Sequence, residues 1–271
     1  MALFDYYKKI VKRFLKSKEA SVDMFFRKCT VCGSKINFAP QVDKIDNLRE
    51  TRACPNCQAA KRNIDMAECI LKVCDIPATR SLSDSIKKFE NMHIYELASG
   101  GPIQKLFSCL PNFVCSEYFD DVRPGDYHGT GIRCEDVQAL TFREDTFHLV
   151  ISQDVFEHVP NPPIGFREIH RILKPGGYHV FTVPFDRNKP KSITRSLVEN
   201  GKIKYLLGSV YHGDPIRSEG ALVFTDFGYD LIDSLKKIGF EVELDEKHYP
   251  EYKGGYNVVF ITRKNSVRYE E

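Results

Sequence analysis

The sequence predicts an α/β protein built on a largely parallel sheet covered on both faces, with a small cysteine-rich module ahead of it. Three observations predict this. Short apolar runs alternate with helical patterns between Ile94 and Val183, an order that gives a parallel sheet with helices on either side. Carboxylates and small residues recur at the carboxyl ends of those runs, where open parallel sheets bind ligands. Two Cys-x-x-Cys pairs, "CTVC" at 29–32 and "CPNC" at 54–57, stand 21 residues apart in a polar stretch.

Taken in order, "HIYELASG", "FVCSEYF", "GIRCEDV", "FHLVISQ" and "YHVFTVPF" read as five strands. Helical patterns lie between several of them, clearest over Pro163–Leu173 and weaker over Gln104–Leu110. "LKPGG" at 173–177 stops a helix and turns into the fifth strand. "TDFGYDLIDSLKKIGF" predicts a helix starting at a Thr or Asp cap and ending at Gly239. "EVELDEKHY" and "YNVVFITRK" then form a closing strand pair. The expected organisation is a basic amphipathic helix over 1–25, a metal-binding module over 26–62 and the sheet domain over 63–271. A long crossover around 184–224 is read as a substrate lid, since it exceeds the length of a connector.

At 271 residues the chain can bury one core and carry a small appendage. Residues 1–20 hold six lysines and arginines against Asp5 and Glu19, a charge of +4 that leaves −2 on the remainder. That distribution argues against a broadly basic nucleic-acid binder. The basic segment could pack on its own domain, mediate dimerisation or lie on an anionic membrane surface. No apolar run reaches the roughly 20 residues of a bilayer span, and no signal-peptide pattern is present. The expectation is a cytoplasmic protein, peripheral at a membrane if the basic helix binds one. Nine cysteines are then reduced thiols or metal ligands.

Each Cys-x-x-Cys pair presents two thiolates on one tight turn. Cys29, Cys32, Cys54 and Cys57 together satisfy tetrahedral zinc, and four protein ligands leave no open position, so the role is structural. Cys69, Cys74, Cys109, Cys115 and Cys134 lack such spacing and read as core thiols. Further along, Glu96 ends the first strand, and Ser99, Gly100 and Gly101 let backbone approach a ligand. Glu117 ends the second strand, where a carboxylate grips a ribose diol. Glu135, Asp136 and Val137 end the third, and "SQDVFEHV" ends the fourth.

Together "ELASGGP", "SEYF" and "CEDVQAL…FHLVISQDVFEHVPNPPIGFREIHRILKPGGYHVFTVPF" resemble the class I S-adenosylmethionine-dependent methyltransferases, over roughly Ile94 to Lys264. The resemblance implies a Rossmann-like seven-stranded sheet with the last strand antiparallel. It also implies that Glu96, Ala98, Ser99, Gly100 and Gly101 hold the methionine portion of the cofactor. Glu117 and its neighbour Tyr118 would take the ribose, Glu135, Asp136 and Val137 the adenine, and Gln153 and Asp154 the space beneath. The glycine turn departs from the family's usual E/D-x-G-x-G-x-G.

The short stretch Asp154–His158 offers three readings. If Asp154 opens a helical turn, Glu157 and His158 share its face, and His158 is suited to act as general base toward an acceptor hydroxyl. The stretch also resembles the E-x-x-E-H metal motif of ubiquinone-type O-methyltransferases, here D-x-x-E-H, which implies Mg²⁺ on Asp154, Glu157 and His158. The third reading is a brace for the "VPNP" turn. His212 and Asp214, beside Arg217 in the lid, are the alternative bases. Resemblance to enzymes of polysaccharide and natural-product pathways implies O-methylation of a small molecule or glycan, including lipid-linked precursors. Rival readings are an RNA methyltransferase whose zinc module grips phosphates, and a non-catalytic partner-binding protein on the same fold.

Overall fold

A computed structural model defines residues 26–37, 48–50, 54–214, 217–248 and 256–265. The amphipathic helix expected over 1–25 lies outside these described residues. The first elements are strands β1 (Phe26–Lys28) and β2 (Lys35–Asn37), an antiparallel pair whose connecting turn carries Cys29 and Cys32. The second cysteine pair leads directly into helix α1 (Lys61–Val73). This helix runs through the boundary placed at 62/63, so the module and the sheet domain share an element. Thr30 Oγ1 donates to Ile64 O at 2.7 Å, and Leu82 N donates to Thr30 O at 2.7 Å, tying the first knuckle to the domain.

The sheet strands are β3 (Ile94–Leu97), β4 (Phe113–Glu117), β5 (Arg133–Cys134), β6 (Phe147–Gln153) and β7 (Leu173–Thr182). Helices α2 (Pro102–Phe107) and α3 (Pro162–Ile172) lie between them. The crossover contributes β8 (Ile193–Thr194), β9 (Ser196–Glu199), β10 (Lys202–Tyr205), β11 (Tyr211–His212), β12 (Ala221–Leu222) and β13 (Thr225–Asp226). Helix α4 (Asp230–Ile238) and strands β14 (Phe240–His248) and β15 (Tyr256–Lys264) close the chain.

Seven strands form one sheet in the order β14-β15-β7-β6-β3-β4-β5, and β15 runs antiparallel to both neighbours. This is the α/β sheet the sequence pattern predicted, with the seven strands and antiparallel last strand that the resemblance implied. Strand side chains alternate between two cores, as a period of two requires. Leu149 and Ile151 pack with α1 and α2 on one face, while Val150, Phe181 and Phe260 pack with α3 and α4 on the other.

Three local expectations are corrected. The third strand shrinks to two residues. Helix α4 begins at Asp230 rather than at the Thr225–Asp226 cap, because those two residues pair as β13 with β8. "LKPGG" opens β7 instead of preceding it. Gly177 makes that possible, since a Cβ there would lie 2.9 Å from Lys174 O and 3.1 Å from Phe147 O.

Candidate functional site

The turn after β6 is set by one aromatic anchor. Phe156 is fully buried and stacks on Phe166 at 3.8 Å between ring centroids. Gly165 leaves room for it, because a Cβ would come within 3.0 Å of the Phe156 ring. With Phe156 locked inward, a 3-10 turn (Phe156–His158) presents the next two side chains to the cleft.

Glu157 is completely buried, and neither carboxylate oxygen meets a hydrogen-bond donor in good geometry. An unpaired buried carboxylate is costly, so what faces it matters. His158 Nε2 stands 3.7 Å away and His212 Nδ1 3.5 Å away, the rings perpendicular at 5.0 Å. His158 Nδ1 lies 2.8 Å from Leu222 O, an acceptor, so Nδ1 carries a proton, and in the neutral ring Nε2 is the nitrogen with the lone pair. Glu157 holds the charged form of His212 and raises its pKa above the ordinary imidazole value, against the opposing effect of burial.

Asp154 sits apart from this group. It adopts a left-handed φ of 53° ahead of the 3-10 turn, so the helical face expected to unite Asp154, Glu157 and His158 does not form. Its carboxylate instead accepts hydrogen bonds from Arg49 Nη2, Arg62 Nη1 and Thr182 Oγ1. Burial alone would raise its pKa, but the two guanidiniums hold it below the usual carboxylate range. The metal-capable cluster on this side of the cleft is therefore Glu157, His158 and His212, whose ligand atoms lie within 4.8 Å of one another.

The other half of the cleft is the turn after β3. Ala98 (φ 74°) and Gly100 (φ 86°) are both left-handed, and a Cβ on Gly100 would meet nothing within 4 Å. The backbone here faces open space. Glu96 is buried with Oε2 unpartnered, and burial pushes its carboxyl up to about 8 despite a hydrogen bond with Gln153. Gln153 Oε1 in turn accepts from Asn63 Nδ2 at 2.6 Å. Glu117 Oε1 accepts the Ser99 N–H, which locks the turn of β3 to the end of β4. Tyr118 is exposed at the rim, and its carbonyl accepts from Arg217 Nη2 at 2.8 Å. Asp136 accepts from its own turn at Gln138 N, and Val137 packs on Gly165. Glu135 is held by Arg133 and Thr141.

These parts line one open cleft of about 2010 Å³. That exceeds the roughly 300–1,000 Å³ of a single drug-sized ligand. The crossover segment borders it at two points: His212 reaches Glu157, while Asp214 is fixed by Arg217 Nη1 at 2.8 Å. Arg49, Arg62 and Asn63 were not foreseen as site residues. Arg49 and Arg62 lie in the cysteine module and Asn63 follows it on α1, and the segment "CPNCQAAKRN" gives no local sign that its last two residues reach Asp154 and Gln153. At the module itself, the Sγ atoms of Cys29 and Cys57 are 3.7 Å apart, and those of Cys32 and Cys54 3.5 Å. Of the five remaining cysteines, Cys69 and Cys134 are buried, Cys74 and Cys115 half-buried, and Cys109 is exposed rather than in the core.

Comparison with known proteins supplies the family context. Residues 115–181 match the methyltransferase-domain family. A ubiquinone biosynthesis O-methyltransferase of Parvibaculum lavamentivorans is 26% identical over 104 residues, which are 34% of this chain and 40% of that protein. The matched region thus spans well under two thirds of that relative. Among solved structures, an S-adenosylmethionine-dependent methyltransferase from Mesorhizobium loti aligns at 16% identity and TM-score 0.41, covering 64% of this chain and 91% of that one. Another from Methanosarcina mazei aligns at 18% identity and TM-score 0.39, covering 67% and 97%. The matched segment runs from within β4 into β7 and contains the whole Asp154–His158 turn, so it is over this stretch that the chain is similar to methyltransferase domains.

Proposed function

We propose that the protein transfers a methyl group from S-adenosylmethionine to an oxygen of a small-molecule or glycan acceptor. The observation that carries this reading is a bare imidazole nitrogen, His158 Nε2, set over a buried carboxylate in the same cleft as an open, left-handed glycine turn. The residues present fit the cofactor. The exposed backbone of Ala98–Gly101 and the unpartnered Glu96 Oε2 suit its amino-acid end, Glu117 its ribose, and Asp136 and Val137 its adenine. When bound, S-adenosylmethionine supplies a methyl group on a positively charged sulfur, an electrophile needing no acid catalyst. The chain's work is to orient the acceptor and remove its proton. His158 Nε2 takes that proton, Glu157 stabilises the resulting imidazolium, and the Leu222 carbonyl keeps the ring in the required tautomer.

Binding is tested by calorimetry with S-adenosylmethionine and S-adenosylhomocysteine, followed by an acceptor screen. Glu117→Ala is expected to weaken S-adenosylhomocysteine binding by about 1–3 kcal/mol, the loss of charge-assisted hydrogen bonds to a diol. Unchanged affinity places the ribose elsewhere.

A second reading of the base is favoured by the Glu157–His158–His212 cluster, a donor set able to hold a divalent ion that acidifies the acceptor hydroxyl. Two imidazoles suit a first-row transition ion better than the Mg²⁺ expected at Asp154, Glu157 and His158, because Mg²⁺ prefers oxygen ligands.

For the cysteine module the proposal is structural zinc. A tetrahedral ion with Zn–S bonds of about 2.3 Å spaces its sulfurs about 3.8 Å apart, close to the observed separations of 3.7 and 3.5 Å. Metal analysis should find one equivalent. Cys54→Ser should lose it and melt earlier, with S-adenosylhomocysteine affinity falling as well, since α1 carries Arg62 and Asn63 to the cleft. Protein stripped of metal yet equally stable overturns this assignment.

A further inference from the structure

Large apolar side chains on the surface are concentrated in one place. Among the described residues, eight of the eleven exposed large hydrophobics fall between Ile193 and Tyr211, within the lid. The β9–β10 hairpin explains part of this. Its register pairs Val198 with Ile203 and Ser196 with Tyr205 on one face, and Glu199 with Lys202 and Leu197 with Lys204 on the other. The hairpin is therefore apolar on one side and charged on the other. Leu206 and Leu207 extend the apolar face. They are 47% and 45% exposed, and their backbone N–H groups are fixed on Arg195 O at 2.8 and 3.1 Å, so they are held outward on ordered chain. Tyr211 Oη lies 3.5 Å from Tyr205 Oη and joins the same patch.

Residues 187–211 contain six lysines and arginines against the single carboxylate of Glu199, in a chain of net +2. Four of the six are paired, Arg187 with Glu246, Lys189 with Asp186, Arg195 with Asp226 and Lys204 with Glu199. Lys191 and Lys202 make no ion pair among the described residues. Exposed apolar groups in a segment that also carries cations outside any ion pair are what an anionic bilayer surface accepts, with side chains entering the headgroup boundary and lysines meeting lipid phosphates. We propose that this lid docks the protein on an anionic lipid surface through Tyr205, Leu206 and Leu207, with Lys191 and Lys202 of the same segment supplying positive charge. Val198, Ile203 and Tyr211 also line the cleft, so the docked edge is continuous with the cleft mouth and opens it toward the membrane. This goes beyond the proposed methyl transfer and does not depend on the acceptor's identity.

The test is co-sedimentation of the full chain with vesicles of phosphatidylglycerol and phosphatidylcholine, compared with phosphatidylcholine alone. Neither Leu206 nor Leu207 lines the cleft. The Leu206→Asp, Leu207→Asp double variant should keep its S-adenosylhomocysteine affinity while its vesicle-bound fraction falls at least about tenfold. Should that variant lose cofactor binding, Lys191→Glu with Lys202→Glu takes its place with the same expectation. Absence of vesicle binding overturns the proposal, as does equal binding to neutral vesicles. Wild-type-like binding by both variants overturns it too, since the segment 1–20 would then carry the interaction. A dimer in sedimentation velocity that the variants dissolve, without any vesicle binding, assigns the patch to a second copy of the chain instead.

Discussion

Replacing His158 by alanine is expected to slow methyl transfer about 10²–10⁴-fold while leaving S-adenosylhomocysteine affinity nearly intact. The magnitude is that of general-base catalysis, and the selectivity follows from geometry. His158 touches Leu222 O and faces Glu157, whereas Glu117 is bonded to the glycine turn at Ser99. His158→Gln tests the same nitrogen, because an amide can keep a polar contact to Leu222 O but cannot accept the acceptor's proton. Turnover within about threefold of wild type in both variants removes His158 from the chemistry.

The same variants separate a base from a metal site. If Glu157, His158 and His212 hold an ion, chelator abolishes turnover without unfolding the protein, and a divalent transition ion restores it. His212→Ala and Glu157→Gln then match His158→Ala, because ligands act as a unit. If His158 acts alone, chelator at a concentration that spares the cysteine cluster has no effect, and His212→Ala is milder than His158→Ala. Asp214 is a weaker candidate for the base than the sequence suggested, since Arg217 occupies its carboxylate.

The parts of this architecture that local pattern dictates were legible before the structure. Strand β6 reads from "FHLVISQ" because a strand buried on both faces needs a continuous apolar run. Helix α4 ends at Gly239 because its φ of 111° is a conformation that favours glycine. The cluster of strand-end carboxylates could be placed for the same reason, once strand order was known. What the sequence left open depends on contacts distant along the chain. Arg49 meets Asp154 across 105 positions and Arg62 meets it across 92, and no spacing rule links such pairs. The α-turn expected at Asp154 fails because Phe156 must enter the core, which selects a 3-10 turn with Glu157 and His158 adjacent. Glu135 has the composition of a ligand-binding carboxylate, yet Arg133 and Thr141 make it the brace of its own turn. Lid strands of two to four residues carry too few alternations to stand out from a loop.

Asp154 therefore calls for a different experiment from His158. Asp154→Ala is expected to cost about 2–4 kcal/mol of stability, because it leaves two guanidiniums converging on an empty position. The lower part of the range allows for Arg62, which is 29% exposed, against 19% for Arg49 and 13% for Asp154. Adding Arg62→Met to Asp154→Ala should recover part of the loss, since one of the two guanidiniums facing the vacated position disappears, and the double-mutant cycle then reports coupling rather than additivity. The pH dependence has a fixed sign. A carboxyl whose folded pKa lies below its unfolded value of about 3.9 contributes stability above that pH. That contribution fades as the pH falls through the lower, folded value. Wild-type protein should thus lose more stability than Asp154→Ala on acidification below about pH 4, measured by urea unfolding at matched ionic strength. The structure also predicts what happens in the cleft. With Asp154 gone, Arg49 and Arg62 keep Glu50 and Asn257 as partners but lose their hold on the end of β6, so turnover falls together with stability. A variant that turns over at the wild-type rate with an unchanged melting temperature and acid profile shows that the two arginines do not depend on Asp154. One that keeps full stability but loses only turnover, and regains it with added divalent ion, returns Asp154 to the metal set.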